Sequence, residues 1–346
     1  MKFLMIGLGS IGQRHLRNIR RVYGDDAEII AYRVRGLKRT FSDTMQIREG
    51  VSLEEEFGIT SYADLDEALS TKPDVAFIAN PTNMHIPCAI KCARAGCHLF
   101  LEKPISNDLT GIEELRQIAD ENHVQIFVGY QNRLHPGIQA LKQTLDAGEL
   151  GEILSVRVVV GERLTTMHTY EDYKETYMAR KDMGGGVVTN QLVHELDYLY
   201  YLFGAPTSVF AQGGTLGNLG IDVEDMCDAI LTIPGKGRDI AVSCHADFYQ
   251  SPPERGITVI GSKGKMQVDI IKNKSLKAIG DEVTEVLYDD FQRNDMFIWE
   301  LQMFIDGINN HTEPEIGLND GIVSLKLALA IKESMEKGGQ KLAFDI

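Results

Sequence analysis

The sequence predicts an α/β protein of two domains, a doubly wound parallel sheet and then an α+β domain with a large, mostly antiparallel open sheet. Residues 1–128 alternate short apolar runs with helical patterns, which is typical of a parallel sheet. Residues 129–346 hold β-rich runs joined by glycine turns, which favour an antiparallel sheet with one open face. The length of 346 residues suits two domains, and the last helices could pack back on the first.

The elements of the first domain follow from apolar runs separated by helical periodicity. A helix is predicted over residues 11–23, directly after the first strand, and a short capped helix over 64–70. The predicted strands are KFLMIG, AEIIAY, DVAFIA, HLFLEK and VQIFVG.

The second domain begins with a helix predicted over residues 135–146, and two further helices, about 295–310 and 318–338, close the chain. The strands predicted between them are ILSVRVVVGE, AILTI, DIAVSCHADFY, GITVIGS and KMQVDII.

Charge and composition exclude several classes of protein. The 35 Lys and Arg against 50 Asp and Glu give a net charge of −15, which argues against a nucleic-acid or membrane-surface binder. The N-terminus turns glycine-rich after six residues, too early for a signal peptide, so we expect a cytoplasmic protein. Few cysteines, odd in number, indicate a reducing compartment and buried apolar roles rather than disulfides or a metal site: Cys88, Cys92, Cys97, Cys227 and Cys244.

A glycine-rich loop follows the first strand. Gly7, Gly9 and Gly12 fit the pattern G-x-G-x-x-G, with Ser10 and Ile11 opening the helix. Gly7 allows a tight turn, Gly9 lets the backbone approach a pyrophosphate, and Gly12 lets helix and strand pack closely. The helix N-terminus would supply N–H groups to the phosphates. The loop therefore predicts a dinucleotide-binding domain, against the alternative of a glycine turn without a nucleotide.

The end of the second strand bears on the choice of cofactor. NAD-binding sites place an acidic residue there for the ribose 2′-hydroxyl, but this chain has Arg33 and Arg35. The first 40 residues carry nine Lys or Arg against three Asp or Glu. Because a guanidinium binds a 2′-phosphate bidentately, we expect NADP(H) to be favoured over NAD(H), with both arginines as the clamp. The alternative is a solvated basic loop.

Two further elements carry candidate catalytic groups. Lys103, in Glu102-Lys103-Pro104, follows the strand HLFLEK at the sheet edge where α/β folds bind ligands, although a lysine at a strand end is often only solvent-facing. Asn190, His194 and Asp197 share one face of a predicted helix after three glycines. The alternative for His194 is a satisfied core histidine.

Together these motifs resemble the Gfo/Idh/MocA family of oxidoreductases. The resemblance rests on the glycine loop, Glu102-Lys103-Pro104, the helix of His194, Gly261-Ser262-Lys263-Gly264 and the final helix, with the segment after the strand DVAFIA as a further match. That segment reads Ala79-Asn80-Pro81-Thr82-Asn83-Met84-His85.

The resemblance implies a Rossmann domain that binds the cofactor and an open-sheet domain that faces the nicotinamide. By the match, Lys103 and His194 are the catalytic pair at a sugar or cyclitol hydroxyl. Asn190 stands where the family often has Asp, and since an amide cannot accept a proton, proton transfer would fall to His194 or Lys103, with Asp197 orienting the imidazole. The cofactor would also contact Asn80, Pro81, Thr82, Asn83, His85 and Glu102, with Gln131 and Arg133 at the domain junction.

The segment from Arg163 to Arg180 is polar and aromatic and directly precedes the helix of His194. Tyr170, Tyr173 and Tyr177 suit a sugar. Arg163, Lys174 and Arg180 suit an anion, such as a carboxylate or a nucleotide phosphate. We expect this segment, with Asp197, to contact the substrate. The alternative is a surface excursion or a subunit contact.

The sequence therefore predicts an NAD(P)-dependent oxidoreductase that acts on a sugar, cyclitol or nucleotide-sugar. A glycosidase of the same fold that uses NAD transiently, and a non-catalytic NADP(H) sensor, are the alternatives. We expect no nucleic-acid or membrane partner, and a homodimer or homotetramer through the open sheet face, because an uncovered apolar sheet must pack on something.

Overall fold

The computed structural model describes residues 1–36, 38–42, 46–167 and 170–346 and divides into two compact units. The first unit comprises Met1–Tyr130 and Arg293–Gly321. The second comprises Gln131–Gln292 and Ile322–Ile346. The chain thus leaves the first unit near residue 130 and returns to it for residues 293–321.

The first unit is built on a parallel sheet. The strands of this unit are β1 (Lys2–Ile6), β2 (Glu28–Tyr32), β3 (Arg39–Phe41), β4 (Ile47–Glu49), β5 (Thr60–Tyr62), β6 (Val75–Ile78), β7 (His98–Leu101) and β8 (Ile126–Val128). Within the described residues, six of them form a sheet of order β5-β2-β1-β6-β7-β8 with parallel pairings, and β3 pairs antiparallel with β4. The strand order reverses between β1 and β6, the point at which doubly wound sheets bind ligands.

The second unit is built on a sheet of nine strands, counted over the part of the chain that the structure describes. These strands are β9 (Ile153–Gly161), β10 (Ser208–Gly214), β11 (Met226–Ile233), β12 (Ile240–Asp247), β13 (Glu254–Gly261), β14 (Gly264–Asp269), β15 (Lys274–Ile279), β16 (Glu282–Leu287) and β17 (Leu342–Ala343). Their order is β16-β15-β14-β13-β9-β12-β11-β10-β17. The pairing of β9 with β12 is parallel and the other pairings are antiparallel, so the predicted fold class is confirmed.

The helices pack on both sheets. The α-helices are α1 (Ser10–Tyr23), α2 (Leu53–Phe57), α3 (Leu65–Ser70), α4 (His85–Arg94), α5 (Ile112–Glu121), α6 (Pro136–Asp146), α7 (Leu164–Met167), α8 (Val193–Phe203), α9 (Arg293–Asn310) and α10 (Leu318–Glu336). A π-helix over Val188–Leu192 precedes α8. Short 3₁₀ turns occur at Gly24–Asp26, Thr82–Met84, Gln131–Leu134, Tyr173–Glu175, Tyr177–Ala179 and Lys181–Met183.

Helix boundaries agree closely with the sequence patterns because capping residues mark them. The Asp64 side chain accepts the Glu67 N–H at 3.0 Å and so begins α3. The His135 ring caps α6 by accepting the Gly137 N–H at 3.1 Å. Several strands were not predicted. Of these, β3, β4 and β5 are only three residues long, too short for a period-two pattern to emerge, whereas β10, β15 and β16 have six or seven residues and were missed all the same.

The large sheet buries one face and exposes the other. Inward side chains such as Val158, Leu231 and Val242 lie in one apolar core with residues of α8, including Leu196. Ile230, which neighbours Leu231 and points the opposite way, is 44% exposed. The face away from α8 is therefore open in the single chain.

Over the described ranges, which omit residues 37, 43–45 and 168–169, the structure contains no helix with both the length and the apolarity to cross a membrane.

The turn after β1 requires two of its glycines. Gly7 has φ +88°, and a Cβ there would lie 2.7 Å from both the Ala79 carbonyl oxygen and the Asn80 nitrogen. A Cβ at Gly12 would lie 2.1 Å from the Gly7 carbonyl oxygen. In contrast, a Cβ at Gly9 would meet nothing within 4 Å. Gly7 and Gly12 therefore fix the fold of the turn, whereas Gly9 leaves open space.

We expect Gly12→Ala to lower the free energy of unfolding by about 2 kcal/mol, because the clash is with main chain that cannot move aside cheaply. Urea unfolding of the intact chain measures this change. Gly9→Ala is the matched control and should stay within about 0.5 kcal/mol of the wild type. Equal stability of the Gly12→Ala variant and the wild type would contradict this account of the turn.

Candidate active site

The N-terminus of α1 is suited to bind an anion. Gly9 is the N-cap residue, none of the described side chains caps the helix, and no acidic residue lies in its first turn. The N–H groups of the first turn, including those of Ser10 and Ile11, therefore have no partner within the helix and stand beside the open space at Gly9. Free N–H groups together with the helix dipole favour a phosphate, so this turn fits the pyrophosphate of a dinucleotide.

The end of β6 borders the same turn and offers a polar atom without a partner. The Asn80 Oδ1 atom is buried and makes no hydrogen bond among the described residues, while its Nδ2 donates to the Cys88 Sγ atom at 3.3 Å. A buried carbonyl oxygen left unpaired is costly, and a donor on a ligand would satisfy it. Pro81 is partly buried, Thr82 is buried, and Asn83 is exposed.

His85 connects two of the predicted cofactor segments. Its Nδ1 lies 2.9 Å from the Pro104 carbonyl oxygen and its Nε2 lies 2.8 Å from the Asn80 carbonyl oxygen. Burial lowers the pKa of His85, so the ring is neutral and donates to one carbonyl at a time. His85 is thus buried and lies between the main chain of Asn80 and the main chain of Pro104, next to Lys103.

Glu102 and His15 form a buried pair beneath Lys103. The His15 Nε2 lies 2.6 Å from the Glu102 Oε1, and the Glu102 Oε2 accepts the Lys103 N–H at 3.3 Å. Lys103 itself is partly exposed, and its peptide bond to Pro104 is cis. Glu102 therefore holds the backbone at Lys103 and joins it to α1.

His15 was not among the predicted site residues, although a polar residue on the buried face of α1 was a detectable signal. Its ring packs 4.8 Å from the Phe100 ring and 5.3 Å from the Phe77 ring, measured between centroids. A buried imidazole among aromatic rings needs a hydrogen-bond partner, which Glu102 provides.

The two arginines expected to clamp a 2′-phosphate lie in different surroundings. The Arg33 guanidinium pairs with the Glu54 carboxylate, and the Arg33 side chain is only 8% exposed. Arg35 is exposed. Glu54 lies on α2, well past the end of β2, so the residues next to the strand did not indicate this pairing.

In the second unit, three glycines lead into the helix of His194. Gly184 and Gly186 have φ of +81° and +116°, and a Cβ at Gly185 would lie 2.4 Å from the Tyr177 carbonyl oxygen. The π-helix that follows differs from the plain α-helix expected, and π-helical turns occur often at functional sites. His194 is buried in the first turn of α8.

Asn190, a predicted catalytic residue, contacts Tyr177, a predicted substrate residue. The Asn190 Nδ2 donates to the Tyr177 Oη at 2.9 Å. Asn190 lies within the π-helix, so this bond links the segment before the glycines to the helix of His194. The contact joins one predicted substrate residue to one predicted catalytic residue.

Two buried ion pairs hold α8 just after His194. The Asp197 carboxylate accepts bonds from the Arg133 Nε at 2.7 Å and Nη2 at 2.6 Å. The Glu195 carboxylate accepts bonds from the Arg255 Nε at 2.7 Å and Nη2 at 3.0 Å. Glu195 and Arg255 were not among the predicted site residues. Gln131, in the same 3₁₀ turn as Arg133, is buried.

The predicted substrate segment is a series of short turns, and its residues 168–169 lie outside the described residues. Arg180 pairs with Asp182 at 2.7 Å and with Glu175 at 3.6 Å. The Tyr173 hydroxyl donates to the Leu219 carbonyl oxygen at 2.8 Å. Arg163 is exposed, and Tyr170 is partly buried.

Comparison with known proteins gives a consistent match along the chain. A family model described as the oxidoreductase family with an NAD-binding Rossmann fold matches residues 1–130, and the model of the Gfo/Idh/MocA C-terminal domain matches residues 138–267. Myo-inositol 2-dehydrogenase of Thermotoga maritima is 26% identical over 345 residues and covers 97% of each chain. Inositol 2-dehydrogenase of Rhizobium meliloti is 26% identical over 349 residues, 97% of this chain and 98% of that one.

The fold is also similar to a solved structure, the WlbA dehydrogenase from Bordetella pertussis in complex with NADH and UDP-GlcNAcA. The TM-score is 0.80 at 24% identity, over 100% of this chain and 99% of that chain. Both domain models name one family, and they match on either side of residue 130, where the structure passes from one unit to the other. The chain therefore belongs to the Gfo/Idh/MocA family of NAD-binding oxidoreductases.

Proposed function

We propose that the protein is a dehydrogenase or reductase that moves a hydride between NAD(P) and the carbinol carbon of a sugar, cyclitol or nucleotide-sugar. The observation that carries the proposal is the uncapped N-terminus of α1, with open space at Gly9, where the strand order of the parallel sheet reverses. Two inositol dehydrogenases that match nearly the whole chain support the substrate class.

In this proposal Lys103 and His194 act on the same substrate hydroxyl. The bound cofactor would supply a nicotinamide ring that accepts or gives the hydride. His194 takes or returns the hydroxyl proton, since an imidazole titrates near neutral pH. The Lys103 ammonium stabilises negative charge that develops on the oxygen.

Asn190 and Asp197 support His194 in this assignment without transferring a proton. Asn190 can orient a hydroxyl or Tyr177, to which its amide is bonded, but cannot serve as a base. The Asp197 carboxylate uses both oxygens for Arg133, so we assign it the fixing of α8 rather than a direct contact with substrate.

The substrate is proposed to bind along the segment from Arg163 to Arg180. Tyr177 is the best supported contact, because it is bonded to the helix that carries His194. Tyr170 and Tyr173 would add aromatic surface for a sugar ring. Of the two arginines, Arg163 is the better candidate for an anionic substrate, since Arg180 already pairs with Asp182 and Glu175.

For the cofactor, we propose a preference for NADP(H) over NAD(H). The loop after β2 contains no acidic residue up to Lys38, and Arg35 and Lys38 are exposed. Because Arg33 is engaged by Glu54, Arg35 is the cation to which we assign the main contact with a 2′-phosphate. Glu102 and the segment of Asn80 to Asn83 would line the remaining cofactor site, with His85 fixing the main chain of Asn80. We also keep Gln131 and Arg133 as candidate cofactor contacts.

We further propose a homodimer or homotetramer formed through the open face of the large sheet. That face exposes Ile230 and carries a concavity lined by Arg157, Asp228, His245 and Gln267. A second copy would cover this apolar and polar surface. The five cysteines are buried free thiols, which supports our proposal of the cytoplasm as the location.

A panel of inositols, sugars and nucleotide sugars, assayed with both cofactors, tests the function. We expect net consumption or formation of reduced nicotinamide, followed by absorbance, with at least one substrate. Glycoside release without net change in the cofactor would favour the glycosidase alternative. Cofactor binding with neither reaction would favour a sensor.

For the catalytic pair, we expect His194→Ala and Lys103→Ala each to lower turnover by roughly 10²-fold or more, because each removes a group acting on the reacting hydroxyl. Steady-state kinetics with the substrate found in the panel measure this. Lys91→Ala, at an exposed lysine paired with Asp66, is the matched control and should retain full turnover. Near-normal turnover in both active-site variants would contradict the assignment.

For the cofactor, we expect NADPH to bind roughly tenfold more tightly than NADH, the effect of one charge-assisted contact. Arg35→Ala should remove most of that difference, as followed by fluorescence titration of the reduced cofactors. Arg94→Ala, at an arginine on α4 paired with Glu114, is the control. Tighter binding of NADH by the wild type would overturn the preference.

For the assembly, we expect Ile230→Asp to convert the oligomer to monomers, since a buried unpaired charge is costly at an interface. Sedimentation velocity measures the mass. Val283→Asp, at a site 63% exposed on β16 near the sheet edge, should have a smaller effect. An oligomer of unchanged mass with Ile230→Asp would place the interface elsewhere.

A further inference from the structure

The position of Arg33 is fixed by the register of the parallel sheet. Tyr32 pairs with Ile6, the residue directly before Gly7, and the Gly7 N–H donates to the Tyr32 carbonyl oxygen at 3.5 Å. Arg33 is the next residue, and its N–H donates to the Tyr62 carbonyl oxygen at 3.0 Å. It therefore stands at the carboxyl end of β2 beside the glycine turn, the place where a Rossmann domain recognises the ribose 2′ position.

The Glu54 carboxylate reaches this position from α2. Its Oε1 accepts the Ser61 hydroxyl at 2.6 Å and pairs with the Arg33 Nη1, and its Oε2 accepts the Ser52 hydroxyl at 3.0 Å. Partial burial alone would raise the pKa of Glu54, but hydrogen bonds from Ser61, its own main chain, Ser52 and Arg33 lower it to about 2. Glu54 is therefore ionised at neutral pH.

The pairing with Glu54 limits the hydrogen bonds that Arg33 can donate to a cofactor phosphate. A guanidinium that donates to a carboxylate has fewer N–H groups for a bidentate bond to a phosphate, and the Arg33 side chain is 8% exposed. The Glu54 side chain is 37% exposed, so a negative charge accompanies Arg33 and opposes an anionic phosphate there. A neutral ribose 2′-hydroxyl does not need a bidentate guanidinium and is not repelled by the Glu54 carboxylate.

We propose that Glu54 is a specificity-determining residue that restrains Arg33 and so lowers the affinity for NADPH relative to NADH. The inference rests on the proposed binding of a nicotinamide dinucleotide at the glycine loop. It is independent of which cofactor the wild type prefers, because it concerns how the ratio of the two dissociation constants changes when Glu54 is altered.

The test is fluorescence titration of NADPH and NADH against the intact chain carrying Glu54→Gln. We expect the ratio of the NADH to the NADPH dissociation constant to rise roughly tenfold, the size of one charge-assisted hydrogen bond released to the phosphate. The rise should shrink at high salt. Glu55→Gln makes the same charge change at the next, exposed residue of α2 and should leave the ratio within about twofold.

Two further variants separate the restraint from a general effect on folding. Ser61→Ala loosens the same carboxylate without changing any charge, and should shift the ratio in the same direction by roughly threefold. In a background of Arg33→Met, the change Glu54→Gln should lose most of its effect, since the cation that it releases is gone.

An unchanged ratio in Glu54→Gln and in Ser61→Ala, with both variants folded by circular dichroism, overturns the inference. So does a shift of equal size in Glu55→Gln, or a full shift that persists with Arg33→Met. If Glu54→Gln does not fold, the Ser61→Ala result decides. Wild-type protein that binds neither cofactor refutes the proposed function itself, whereas binding of both with an unmoved ratio refutes only the role of Glu54.

Discussion

The contact between the glycine turn and the end of β6 is the constraint on which the first unit depends. Gly7 lies so close to Ala79 and Asn80 that any side chain there would collide with main chain, and a side chain at Gly12 would lie closer still to the Gly7 carbonyl oxygen. This proximity brings the N-terminus of α1 to the reversal point of the sheet. The N–H groups of the first turn, the open space at Gly9 and the unpaired oxygen of Asn80 border this turn, where we propose that a dinucleotide binds.

In the second unit, α8 carries both charged and apolar side chains and packs on an apolar sheet. Glu195 and Asp197 are almost completely buried, and each meets an arginine that donates two hydrogen bonds. Breaking such a pair from one side typically costs about 3–5 kcal/mol, because a charge is left unpaired in the interior. Glu195 and Asp197 lie one and three residues after His194, so the two pairs fix the first turns of α8, which carry it.

The sequence predicted the fold class because its signals are local. The glycine spacing, the apolar runs and the capping residues Asp64 and His135 each act over a few residues. The partners of predicted residues were much harder to find, since His15 meets Glu102 across 87 residues and Glu195 meets Arg255 across 60. The π-helix before α8 was also unexpected, because its five residues carry the same apolar pattern as an α-helix. Arg33 was predicted because it directly follows β2, whereas its partner Glu54 lies on α2.

Hydrogen–deuterium exchange at the N-terminus of α1 tests the central claim most directly, which is that this turn binds the cofactor through its main chain. The first-turn amides at Ser10, Ile11 and Gly12 have no acceptor within the helix and should exchange quickly in the protein alone. Saturating NADPH or NADH should slow them, while the Gln13 amide, already bonded to the Gly9 carbonyl oxygen at 2.9 Å, serves as the internal reference. Exchange at these three amides that neither cofactor alters would contradict the account.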